Sequence, residues 1–192
     1  YCGRGTPQAS KASRWRPSLE PRLVERLKTD DYWRTRQEIA RALGHGTPRA
    51  VVSLLLGVLA EDADSDVQAE CATSVWKNPD QGIWEARGKP QHYVSSKLMC
   101  WVALDRAAKL AEIRGDPELQ GKWRGVADEI HADILENGAK GGVLRQHYET
   151  EALDASTLLA AIFGFLPGDD ELLRKSVEAI AGPFRSARHS ST

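Results

Sequence analysis

From about Ser18 to Ile180, apolar residues recur at three- and four-residue intervals, and in no stretch do they alternate one by one. That spacing gathers apolar side chains onto one stripe of a helix, whereas a half-buried strand needs a period of two. The chain is therefore expected to be all-α. Leu98, Trp101, Leu104, Ala108 and Ala111 mark one broad stripe, and Leu119, Trp123, Val126, Ile130 and Ile134 mark the next. Between them Gly115 ends a helix, and Asp116-Pro117-Glu118 offers an N-cap, a first-turn proline and an early acid. Ser95 or Ser96 is the expected cap of the helix before it. Helices of this length joined by short turns pack as helical hairpins.

The flanking stretches extend the pattern. Leu23, Val24 and Leu27 form one apolar edge, and Trp33, Ile39, Ala40 and Leu43 form a second that Gly44 closes. Thr47-Pro48 reads as the start of a helix carrying Leu54, Leu55, Val58 and Leu59. The acidic run Glu61, Asp62, Asp64 and Asp66 lacks the central glycine and closing glutamate of an EF-hand, so it is read as a helix cap before Val67, Cys71 and Val75. Over Asp30–Trp76 this rhythm resembles a HEAT-type repeat, on features common to paired helices in general: Ala42-Leu43-Gly44, a Gly/Pro turn and the acidic turn. Further on, Asp154 and Asp169-Asp170 are expected to cap two more helices, the first ended by Gly164 and Pro167-Gly168. Residues 1–17 and 181–192 lack a period and are expected to be loose tails. Residues 18–66 form a helical hairpin region and 67–180 the main helical unit, with weak coupling expected across their boundary.

Charge narrows the partners. With 26 Lys and Arg against 27 Asp and Glu, the net charge is −1, which gives no broad attraction to nucleic acid or to an anionic membrane. A neutral partner such as a sugar fits. Arg4, Lys11, Arg14 and Arg16 cluster around Trp15, read as a solvated tail rather than a nucleic-acid arm. The longest apolar run, Val51–Ala60, is broken by Ser53 and Gly57 and falls short of the ~20 residues a membrane span needs. Cys2, Cys71 and Cys100 show no zinc spacing and are read as reduced thiols, and His131 has no metal spacing either. No metal or other cofactor is expected. No secretory leader is recognisable, so a cytoplasmic location is expected, and a chain that opens on Tyr1 is expected to be a segment of a longer protein. The oligomeric state stays open.

One stretch interrupts the helices. Pro79-Asp80-Gln81-Gly82-Ile83-Trp84-Glu85-Ala86-Arg87-Gly88 brackets a tryptophan, a glutamate and an arginine between helix-breaking residues, so a loop aims these side chains. Two readings stand at this point. Glu85 held against the Trp84 indole would lose hydration and become a proton donor near neutral pH. Alternatively, Trp84 is a partly buried anchor and Glu85 and Arg87 are a solvated pair.

The order of residues adds to this. Pro79–Arg106, read PDQGIWEARGKPQHYVSSKLMCWVALDR, resembles the acid-bearing segment of bacterial glycoside hydrolase family 15, which contains glucoamylases, glucodextranases and some trehalases. Gln146-His147-Tyr148, Ala152-Leu153-Asp154-Ala155-Ser156 and Gly164-Phe165-Leu166-Pro167 are similar to the family's next helical hairpin, so the resemblance runs from about Ala69 to about Ile180. It implies helices that are part of an (α/α)6 toroid with a sugar pocket at one end. The implied reaction is inverting hydrolysis of an α-glucosidic bond in an α-glucoside or oligosaccharide, with Glu85 as general acid. Trp84 would be an apolar platform for the sugar, Arg87 a donor to its hydroxyls and Lys97 a further substrate-binding candidate. The family's general base lies in a later stretch that this chain does not contain, and Glu149, Glu151 and Asp154 do not match its motif. Glycosidase activity of the isolated chain is accordingly expected to be slight. The competing class is a non-catalytic helical-repeat scaffold that binds a protein partner, which would have no use for a Trp-Glu-x-Arg loop.

Overall fold

The computed structural model describes residues 20–44 and 49–189. The expected cap at Thr47-Pro48 and the N-terminal tail lie outside these residues. Helices dominate in the order α1 (Glu20–Thr29), α2 (Trp33–Gly44), α3 (Arg49–Glu61), α4 (Ser65–Val75), α5 (Val94–Arg114) and α6 (Pro117–Asn137). A small hairpin of β1 (Ala139–Lys140) and β2 (Val143–Leu144) follows, then a 3-10 turn at Ala155–Leu158, α7 (Leu159–Phe163) and α8 (Glu171–His189). The all-α expectation holds. The hairpin escapes a search for alternation because each strand is two residues long, turning at Gly141 and Gly142 with φ of 61° and 73°.

Aspartates start the helices as their positions suggested. Asp64 accepts hydrogen bonds from the backbone N–H of Asp66 and Val67, Asp116 from that of Leu119, and Asp170 from those of Leu172 and Leu173. Gly115 ends α5 in the left-handed region at φ 71°. The start of α5 differs from expectation: its N-cap is Tyr93, which makes no side-chain capping bond. Tyr93 is held extended by a bridge to His147, so the helix begins at Val94, whose N–H donates to the Gln146 carbonyl at 3.1 Å. Ser95 is buried, and the Ser96 hydroxyl donates to Asp80 instead. Likewise α8 stays helical to His189, beyond Ile180 where the apolar period stops.

The α5–α6 hairpin forms the centre of the packing. Leu98, Leu104 and Ala108 of α5 share a core with Trp123, Ile130 and Ile134 of α6. Leu27, Leu43 and Leu55 from α1, α2 and α3 belong to the same core, together with Val67 and Cys71 of α4. Weak coupling across residue 66 is therefore not what the packing shows. Ion pairs reinforce the packing, and those of Glu70 and Asp66 cross the boundary. Asp62 takes a two-pronged bond from Arg36 at 2.7 and 2.9 Å. Glu70 on α4 is clasped by Arg41 of α2 at 3.1 Å and Lys122 of α6 at 2.8 Å. Asp66 meets Arg114 of α5 at 2.9 Å. Cys71 and Cys100 are free and buried, and burial pushes both thiols up, Cys100 to about 12. Among the described residues no helix is long and apolar enough to cross a membrane.

Candidate functional site

Two loops meet at one end of the α5–α6 hairpin, one joining α4 to α5 and the other following β2. They are stitched by backbone. Val94 donates to Gln146 O at 3.1 Å and Tyr148 donates to His92 O at 3.1 Å, around the Tyr93–His147 bridge. Rings repeat the pairing: His92 stacks on Tyr148 with centroids 5.5 Å apart, and Tyr93 meets His147 edge-on at 5.4 Å.

The first loop also closes on itself. Asp80 and Gln91 exchange both backbone bonds, at 2.9 and 2.8 Å. Within the closed ring, Gly82 turns the chain at φ 66°, Glu85 N–H donates to Gly82 O at 3.2 Å and Ala86 N–H to Gln81 O at 2.9 Å. The Asp80 carboxylate accepts from Gly82 N–H and from Ser96 Oγ at 2.8 Å. Burial pushes this carboxyl up, against the pull of those two hydrogen bonds.

Glu85 stands at the outer edge of the ring with φ 47°, the one described non-glycine residue with a positive φ. Such a backbone costs free energy and is kept where surrounding structure imposes it. Its side chain is exposed. It lines a cleft of about 660 Å³ together with Asp80, Gln81, Ile83, Met99 and Arg106. The expected shielding of Glu85 by the Trp84 indole is not found: Trp84 is itself 64% exposed, and its Nε1–H points to Asp154 Oδ2 at 2.8 Å. Arg87 is exposed and makes no ion pair among the described residues.

Lys97 sits elsewhere. It is 2% exposed, and its ammonium donates to the Trp76 carbonyl at the end of α4. Its Nζ lies 5.8 Å from the Trp76 ring centroid and 5.7 Å from that of Tyr148. Burial draws its pKa down. In this position Lys97 holds the end of α4 and the root of the first loop, and it does not line the cleft with Glu85. Trp84, Glu85 and Arg87 are brought together on one loop, and Lys97 is not.

Two residues that carried no site role in the sequence complete the arrangement. Asp154 Oδ2 accepts from Trp84 and, at 3.4 Å, from Gln146 Nε2, while its Oδ1 accepts from Ser156 N–H at 2.8 Å. Burial opposes the charge, but the bonds from Ser156, Trp84 and Gln146 outweigh it and hold the Asp154 carboxyl below the usual range. The sequence signals Asp154 only as a cap. Of the other acids near the loops, Glu149 is exposed and Glu151 pairs with Arg145 at 3.1 Å. Among the described residues there is no cluster of three His, Cys, Asp or Glu side chains suited to a metal ion.

Fold and site together define a class: a helical-hairpin protein whose polar loops gather at one end of its helices beside a cleft of small-ligand size, within the range of about 300–1,000 Å³. Residues 59–189 match the family Glycosyl hydrolases family 15, and the chain belongs to that family. Over 115 residues it is 56% identical to a trehalase of Mycolicibacterium smegmatis, covering 59% of this chain and 17% of that relative. It is 57% identical over 115 residues to a trehalase of Mycobacterium tuberculosis, with the same coverage of 59% and 17%. A longer match, 34% identical over 154 residues, is to a trehalase of Thermoplasma acidophilum and covers 78% of this chain and 25% of the relative. The chain thus spans a quarter or less of the length of these relatives. Solved structures of a glycosidase, one of the wild type and one of a variant in complex with glucose, superpose with a TM-score of 0.56 at 20% identity, over 74% of this chain and 39% of theirs. That likeness shows the fold: the helical hairpins are part of an (α/α)6 toroid.

Proposed function

We propose that this chain is a segment of an inverting glycoside hydrolase of trehalase type, acting on α-glucosidic bonds with Glu85 as general acid. The observation that carries the reading is Glu85 itself, held at φ 47° on a self-closed loop at the edge of the cleft. A loop that expends backbone strain to present one carboxyl is built for that carboxyl. The identity of 56–57% to trehalases over 115 residues supports the choice of substrate class, with a glucoamylase-type α-glucoside as the second reading.

In this mechanism Glu85 gives its proton to the glycosidic oxygen as the bond to the anomeric carbon breaks, while a carboxylate across the ring activates the attacking water. The exposed indole of Trp84 supplies a flat apolar surface for a sugar ring, and Arg87 supplies donors for hydroxyls. The second carboxylate comes from outside these 192 residues. Two nearby carboxylates are otherwise engaged: Asp154 is bonded to Trp84 and Ser156, and Glu151 to Arg145. Partner segments of the toroid would also exclude the water that now surrounds Glu85.

Glu85→Gln tests the assignment in the enzyme completed by the remaining toroid. The amide keeps the shape but has no acidic proton, so turnover of trehalose should fall about 100- to 10,000-fold. Near-normal turnover on a substrate with a poor leaving group would remove Glu85 from the mechanism. The 192-residue chain alone should release little or no glucose from trehalose or maltose. Efficient release would place the base within it.

A further inference from the structure

We propose that Asp154 is a positioning residue for the sugar platform: by accepting the Trp84 indole N–H it fixes the plane of the ring and, through it, the loop that presents Glu85. This rests on the reading of that loop as the acid-bearing one. Trp84 is 64% exposed, and an exposed indole ordinarily samples several rotamers. Here its one polar atom is bonded at 2.8 Å to a carboxylate that is only 7% exposed. The anchor is itself rigid. Asp154 Oδ1 takes Ser156 N–H at 2.8 Å, and the Asp154 carbonyl takes Thr157 N–H at 3.1 Å and Thr157 Oγ1 at 2.7 Å. Gln146 Nε2 reaches the same oxygen as Trp84, and the Gln146 carbonyl accepts the first N–H of α5. One carboxylate therefore links the acid loop, the second loop and the start of α5. A cap would need a single oxygen, and the other is used to hold an aromatic ring in the open.

The indole N–H reports on the tether directly in the 192-residue chain, which has six tryptophans. In a proton–nitrogen spectrum the Trp84 indole signal is the one lost in Trp84→Phe. In Asp154→Asn, whose amide can present a donor to a donor, that signal should move and its exchange with solvent should quicken about tenfold, while the other indole signals stay in place. An unmoved Trp84 signal would overturn the tether. In the completed enzyme, Trp84→Phe keeps a ring and deletes the donor, and should raise KM for trehalose severalfold more than it lowers kcat. Because both substitutions break one interaction, Trp84→Phe with Asp154→Asn should be no worse than the weaker of the two single variants. Losses that multiply would overturn the positioning role and leave Asp154 a cap. Where Asp154→Asn does not fold, the KM-against-kcat split of Trp84→Phe decides alone. A tethered indole in an enzyme that survives Glu85→Gln would sink the acid assignment and leave the tether standing, so the two failures are distinguishable.

Discussion

A β-carbon at Gly82 would lie 2.9 Å from the ring of Tyr93, with the backbone at φ 66°. Both facts weigh against any side chain there, since Tyr93 is 5% exposed and its backbone is bridged to His147. Gly82→Ala should therefore cost roughly 1–3 kcal/mol in urea denaturation and loosen the loop that carries Glu85. A cost below a few tenths would show the loop to be more pliant than its hydrogen bonds imply. At this scale the sequence is informative about kind and silent about direction. The glycines and prolines around Trp84 announce a loop. Nothing in that stretch announces that the indole turns to Asp154, 70 residues away, instead of shielding Glu85. Lys97 makes the same point: the family resemblance made it a candidate sugar contact, whereas its helical position between Ser96 and Leu98 buries it against Trp76 and Tyr148.

The helices were legible because each signal is local. Apolar spacing marks their faces, and Asp64, Asp116 and Asp170 mark their starts. Asp64→Ala should cost about 1 kcal/mol, since two N–H groups of α4 lose their acceptor, and thermal unfolding should register it as a lower midpoint. An unchanged midpoint would mean that packing against α2 already fixes the start of α4. What was not legible was set by partners distant in sequence. Ser95 and Ser96 look like caps, but the strand-like pairing of residues 92–94 with 146–148 decides where α5 begins. Two-residue strands give too short a run for any period to show.

Across the whole molecule, a change of sequence character between residues 18–66 and 67–180 suggested a seam with weak coupling, yet the core and the ion pairs cross it. Composition describes surfaces, whereas coupling depends on which buried faces meet. Limited proteolysis should accordingly leave α1–α3 as resistant as α4–α6, and early loss of α1–α3 would contradict the shared core. Acid should weaken the whole. Burial opposes the charges of Glu70 and Asp105, but bonds from Arg41 and Lys122 to the first, and from Lys109 and Arg124 to the second, outweigh it and lower both pKa values. Folded values below the unfolded ones of about 4 mean that this stabilisation is fully present above pH 4 and is lost as pH falls through the folded values. Asp80, raised by burial, acts in the opposite sense: its share is lost as pH rises through its folded value. Urea midpoints measured from pH 6 to pH 3 should fall, and a flat profile would show the clasped carboxylates to be of little account. The same clasp on Glu70 bears on the order in which the molecule is made. Arg41 precedes Glu70 in the chain and Lys122 follows it, so a ribosome delivers the first counter-charge about thirty residues early and the second about fifty late. Until α6 emerges, α4 carries a carboxylate with half its compensation, and a nascent chain would commit to this packing only when Lys122 arrives.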